Sequence, residues 1–183
     1  ASEFGTGTNS AEPGAGLIMI NSGAFGDLDQ NGSIDYFVGA MGFEYATGLL
    51  HDGKRNDHDH LLGGWSGTTI DSSVGPKMPY LEYFPRVMED MQFFLNPSIV
   101  DLNGDGFPEA INGSAGGILH AFDHMGREPV GWPKHLGQWV LGTPVVGDID
   151  GDGLLEVLTG TRSGWLYAWK TEAVAADALR LWN

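Results

Sequence analysis

The sequence predicts an all-β protein built from about three four-stranded antiparallel units. Three observations predict it. Gly is abundant, at 29 of 183 residues, while uninterrupted helical patterns are few. Short apolar, β-branched runs are bounded by Gly, Asn and Pro, as strands are. The C-terminal part also repeats at a spacing of 47: Pro97 and Pro144, Asp101 and Asp148, and Gly117 and Gly164 are each that far apart.

Residues 1–16 are small, polar and Gly-rich and read as a flexible N-terminal linker or tag. Strands are expected over 17–28 and 34–39, and another within 41–50. Residues 51–92 do not resemble the rest. Asp27 to Asp101 spans 74 residues, one 47-residue unit plus 27, so an insertion is expected at about 51–92. Within it, His51 to His60 carries three His and three Asp, a set able to hold a transition metal through imidazole. A solvated polar loop explains the run as well, and no helical or strand spacing organises its ligands. Residues 63–78 have a loop's composition. Pro85 suits the first position of a short amphipathic helix within 82–94.

From residue 97 the pattern is periodic. Strands are expected at 98–102, 109–111, 117–123 and about 130–134, then at 143–149, 156–159, 164–170 and about 178–182. Residues 118–122 and 165–169 share the alternating pattern x-Leu-aromatic/His-Ala-aromatic. The units are therefore about 17–50, 95–140 and 141–183, four strands in each.

One nine-residue stretch occurs three times. It reads Asp27-Leu-Asp-Gln-Asn-Gly-Ser-Ile-Asp35, Asp101-Leu-Asn-Gly-Asp-Gly-Phe-Pro-Glu109 and Asp148-Ile-Asp-Gly-Asp-Gly-Leu-Leu-Glu156. Side-chain oxygens at positions 1, 3, 5 and 9 converge if the backbone curls: Asp27, Asp29, Asn31 and Asp35; Asp101, Asn103, Asp105 and Glu109; Asp148, Asp150, Asp152 and Glu156. The carbonyls of Ser33, Phe107 and Leu154 at position 7 add one more oxygen. Gly32, Gly106 and Gly153 at position 6 permit a left-handed turn. Six or more oxygens in a flexible loop suit Ca²⁺ better than Mg²⁺, so up to three Ca²⁺ ions are expected. An EF-hand needs a carboxylate at position 12 and flanking helices. Val38, Asn112 and Thr159 stand there instead, between strands.

Turn chemistry alone also favours Asp, Asn and Gly. A turn, however, needs one or two acids, and these 27 residues hold 10 of the chain's 24. The third loop carries four carboxylates and the others three each, so carboxylate count ranks the third loop as the tightest site.

Net charge is −15. Three Ca²⁺ would offset six charges. With only nine Lys plus Arg, the chain lacks the basic surface that nucleic acid requires. No apolar run approaches a membrane span, and the absence of Cys excludes disulfides.

A repeat of 40–50 residues with four strands per unit is the pattern of a β-propeller blade. The units resemble FG-GAP/VCBS repeats, the calcium-loop blades of integrin α-subunit heads and many bacterial surface proteins. The resemblance is strong over 97–170, fair over 17–43 and absent over 51–92. It implies a loop joining the first two strands of each blade and a structural calcium in it. It further implies a secreted or cell-surface module serving adhesion-type recognition of a protein or carbohydrate. Three blades do not close a ring, so a partial propeller or one completed by self-association is expected.

No catalytic residue is expected: the sequence holds no Gly-x-Ser-x-Gly elbow and no His-Glu-x-x-His. Two alternatives stand. One is the propeller part of a secreted polysaccharide-active enzyme, with His51, His58, His60, His120, His124 and His135 as bases. The other is a lectin stacking sugars on Trp65, Trp132, Trp139 or Trp165. Packing explains the tryptophans equally.

Overall fold

The computed structural model describes residues 16–17, 21–42, 60–67, 80–92 and 94–178. It is all-β, with three antiparallel sheets and one helical turn. The first sheet holds β1 (Gly16–Leu17), β2 (Ala24–Gly26), β3 (Asp35–Gly42), β4 (His60–Trp65) and β5 (Arg86–Val87). β1 and β2 both pair with β3, and β4 and β5 follow on its other side. The second sheet is a meander of β6 (Ser98–Val100), β7 (Glu109–Gly113), β8 (Ile118–Phe122) and β9 (Lys134–His135). The third holds β10 (Val140–Gly147), β11 (Leu154–Thr161) and β12 (Leu166–Val174), after which α1 (Ala175–Ala178) makes one turn.

Strand alternation turns the middle sheet into a two-sided partition. Ile99, Ala110 and Phe122 form one cross-strand row. They pack with Leu28, Phe37, Leu62, Phe84 and Met88 of the first unit. The opposite face carries Ile111, Leu119 and Ala121, packed with Val140, Leu155, Val157 and Ala173 of the third. β2 lies beside β6, and β6 beside β10, so the first strand of each unit neighbours the next. Two glycines permit this approach: a Cβ on Gly26 would meet Ile99 at 2.6 Å, and one on Gly113 would meet Val140 at 2.5 Å.

Part of the stretch read as an insertion pairs into the first sheet: residues 60–65 form β4 and Arg86–Val87 form β5. The expected helix after Pro85 is absent. Leu61 and Leu62 pair with Val87 and Arg86, and the Met88 N–H bonds the His60 carbonyl at 2.8 Å. The open edge of β4 outweighs the weak local preference of a short segment, while Leu81, Phe84 and Met88 still reach the core. The strand expected over 17–28 is two pieces, and the one at 130–134 is shorter, at 134–135. Ala178, placed in the last strand by the sequence, closes α1; residues 179–183 lie outside the described residues, as do 1–15, 43–50 and His51 to Asp59.

Candidate metal loops

The nine-residue loops lead from β2 to β3, from β6 to β7 and from β10 to β11. All three close with the same ladder of hydrogen bonds. The position-1 carboxylate accepts two or three backbone N–H groups. Asp27 takes Asn31 at 2.9 Å and Gly32 at 2.8 Å. Asp101 takes Gly104 at 2.7 Å, Gly106 at 2.9 Å and Asn103 at 3.2 Å. Asp148 takes Gly151 at 2.8 Å and Gly153 at 3.0 Å. Position 3 accepts from position 5 (Asp29, Asn103 and Asp150 from Asn31, Asp105 and Asp152). Position 5 accepts from the N–H of Ser33, Phe107 or Leu154. Gly32, Gly106 and Gly153 have φ of 87°, 89° and 88°. Position 4 is left-handed too, at Gln30, Gly104 and Gly151, a requirement the nine-residue pattern alone does not display.

The position-9 acid joins the loop to the core. Asp35 and Glu109 are the first residues of β3 and β7, and Glu156 lies two residues into β11. One oxygen of each accepts the N–H of position 2: Leu28 at 3.0 Å, Leu102 at 2.7 Å and Ile149 at 2.9 Å. All three acids are buried. Burial pushes the Asp35 carboxyl up to about 6, against hydrogen bonds from Leu28 and Gly67. It pushes Glu109 up to about 8, helped by the charges of Asp101, Asp105 and Asp123. Without a compensating cation Glu109 retains a proton into the neutral range.

The ligand atoms of Asp27, Asp29 and Asp35 lie within 4.8 Å of one another, as do those of Asp148, Asp150 and Glu156. In the second loop Asn103 takes the third position, and its Nδ2 donates to Asp105 at 3.1 Å and Glu109 at 3.2 Å. In the third, Lys170 reaches across from β12. Its Nζ bonds Asp150 at 3.1 Å and also Asp152, and stops 3.9 Å from Glu156 Oε1. Asp152 thereby lies outside the cluster of three. The Lys170 hydrogen bond holds the Asp152 carboxyl below its ordinary range, and the two carboxylates push the Lys170 ammonium up.

One atom goes beyond turn chemistry. Glu156 is 7% exposed, and its buried Oε1 receives no hydrogen bond. Its ion-pair partner is the Lys170 ammonium, 3.9 Å away, and a buried carboxylate oxygen without a hydrogen bond is costly. Clustered with Asp148 and Asp150, the Glu156 carboxylate suits a hard cation bound through oxygen. The donor types of all three loops suit calcium, and three carboxylates converge in the first and third.

A second charged cluster escaped the sequence reading. His120 of β8 bonds Glu89 through Nε2 and Glu128 through Nδ1, each at 2.7 Å. Glu89 also accepts from Ser114 Oγ. Burial alone would push His120 down, but the hydrogen bond and charge of Glu89, then of Glu128, push it up. Burial likewise opposes ionisation of Glu89, yet the hydrogen bonds from His120 and Ser114 hold it below its ordinary value. The two nitrogens point to separate acids, so the imidazole acts as a clamp between the 80–92 segment and the second sheet. No spacing in the sequence foretells it.

The candidate tryptophans scatter. Trp132 packs partly against the core. Trp65 stacks on Tyr80 at 5.4 Å, Trp139 lies under the Arg162 guanidinium at 5.4 Å, and Trp165 is exposed. Of the candidate bases, His60 is buried in β4, and His124 stacks on Phe107 at 4.3 Å. A scan against protein-family models and a search of curated proteins each return no match. Among the described residues, no helix is long and apolar enough to cross a membrane.

Proposed function

We propose that the chain is a calcium-binding β-propeller segment of the FG-GAP/VCBS kind, a structural and recognition module of a secreted or cell-surface protein. The buried Oε1 of Glu156, which receives no hydrogen bond within a cluster of three carboxylates, carries the calcium reading. Support comes from the common ladder in all three loops and the buried position-9 acids. Calcium would be held by Asp27, Asp29, Asn31 and Asp35; by Asp101, Asn103, Asp105 and Glu109; and by Asp148, Asp150, Asp152 and Glu156. The carbonyls of Ser33, Phe107 and Leu154 would complete each site. The ion supplies charge neutralisation that locks each strand-to-strand loop; no catalytic step is assigned.

The propeller reading draws on the row of three sheets with neighbouring first strands. The outer face of the third sheet is open, with Val145 62% and Leu166 69% exposed. The residue 47 positions before Leu166 is Leu119, fully buried against the third sheet. The open face thus repeats a covered one, and a further blade, from elsewhere in a longer chain or from a second copy, would cover it.

One observation favours carbohydrate among recognition partners. A cleft of about 580 Å³ between the second loop and β12 is lined by Trp132, Trp169, Lys134, Arg127, Asp123 and Thr171, among others. Two indoles beside charged and polar side chains suit sugar rings.

Calorimetric titration of the whole chain with CaCl₂ and MgCl₂ tests the calcium reading. The expected result is calcium binding with little magnesium response, and a melting temperature that falls in EGTA. Absence of calcium heat and of any EGTA effect would overturn it.

A further inference from the structure

The three loops differ at one place that the nine-residue pattern does not contain. Each position-9 acid begins or enters the strand after its loop, so antiparallel pairing sets one residue of the following strand opposite it. Glu156 faces Lys170 directly. One step beyond the Ala110 to Phe122 pair, Glu109 faces Asp123. One step beyond the Tyr36 to Trp65 pair, Asp35 faces Ser66. The same structural position is thus neutral in the first unit, negative in the second and positive in the third.

We propose that Lys170 is a built-in cation of the third loop, filling the charge-neutralising role that the first two loops leave to a divalent ion. The third loop, although richest in carboxylates, is then the weakest calcium site of the three. The inference rests on the calcium reading and reverses the order that carboxylate count implies.

The geometry supports it at three points. The Lys170 ammonium bonds Asp150 and Asp152, two of the four side chains that calcium would use. Calcium needs six to eight oxygens at 2.3–2.6 Å, and an ammonium bonded to two of them excludes that shell. The ammonium also ion-pairs with Glu156 Oε1 at 3.9 Å but makes no hydrogen bond to it, so it neutralises the loop without completing it. Calcium entry requires Lys170 to swing away, breaking three ion pairs and leaving a like charge nearby. The side chain is partly exposed and has room to do so. The loop is therefore closed at low calcium and available at high calcium. Among the described residues no Lys or Arg pairs with an acid of the first or second loop; Arg127 is engaged with Asp123.

The test is calorimetric titration of the whole chain with CaCl₂, comparing the wild type with Lys170→Met and Lys170→Gln. Far-UV circular dichroism in EGTA checks that each variant folds. The wild type is expected to show two tight events and a third at least about tenfold weaker. Asp150→Ala should remove the weak event only, assigning it to this loop. Both Lys170 variants should bring the third event into the range of the other two. Three equal events in wild type and variants would overturn the inference and leave the calcium reading standing. Two events in every protein would overturn it as well, since the third loop would then bind nothing. No heat in any protein would overturn the calcium reading and this inference with it.

Discussion

Glu109→Gln separates a latent metal ligand from a structural hydrogen-bond cap, because its effect should change sign with calcium. Glu109 is fully buried, and its carboxyl is pushed from 4.5 up to about 8. Folding at pH 7 without calcium therefore brings a proton onto a group that is ionised in the unfolded chain. That uptake costs about 3 kcal/mol. Gln is the neutral isostere and avoids the cost, and its carbonyl still accepts the Leu102 N–H. Its amide opposes the Asn103 Nδ2 that Glu109 now accepts, which returns about 1 kcal/mol. The net expectation in EGTA is stabilisation by about 2 kcal/mol. In calcium the variant loses a ligand, and with it the gain of about 2.7 kcal/mol that a site supplies at a hundredfold excess over Kd. Urea unfolding at pH 7 in EGTA and in CaCl₂ measures both. Equal destabilisation in the two buffers would refute the reasoning and reduce Glu109 to the cap of Leu102.

Four further outcomes follow from the same geometry. His120, raised by Glu89 and Glu128, contributes its full stability below the ordinary histidine value of about 6.5 and loses it as pH rises through the raised value. Glu89, held low, contributes above its ordinary 4.5 and loses it as pH falls further. The clamp should thus be strongest between those two values, and His120→Gln should flatten the pH dependence of thermal melting there. Gln30 has a φ of 56° where the other loops have Gly; Gln30→Gly should be neutral to stabilising by about 1 kcal/mol in urea unfolding, while Gly153→Ala should cost about as much. Ile111→Ala, at the contact between second and third sheets, should cost about 2–5 kcal/mol by the same assay. Leu166→Glu on the open face should abolish any self-association that light scattering detects in the wild type, with little change in melting temperature.

Much of the fold is legible in the chain because its cause is local. Alternation and the 47-residue repeat locate β6, β7, β8, β10, β11 and β12. The loop pattern foretells the ladder of Asp101, Asn103 and Asp105 because each partner is two to five residues away. β4 and β5 are not legible: their strand state is imposed by the edge of β3 and then of β4, across segments that lengthen the first unit. Glu89, Ser114, His120 and Glu128 come from separate segments and meet only when the chain between the first two sheets packs against β8.

By itself the sequence determined the all-β class, the repeat and the three acidic loops, since turn geometry and strand alternation act over a few residues. The tertiary structure alone decided that Glu109, Asp35 and Glu156 are buried, because burial depends on which sheets stack. It alone set Lys170 rather than a neutral residue against the third loop, because antiparallel register joins residues that the chain keeps 14 positions apart.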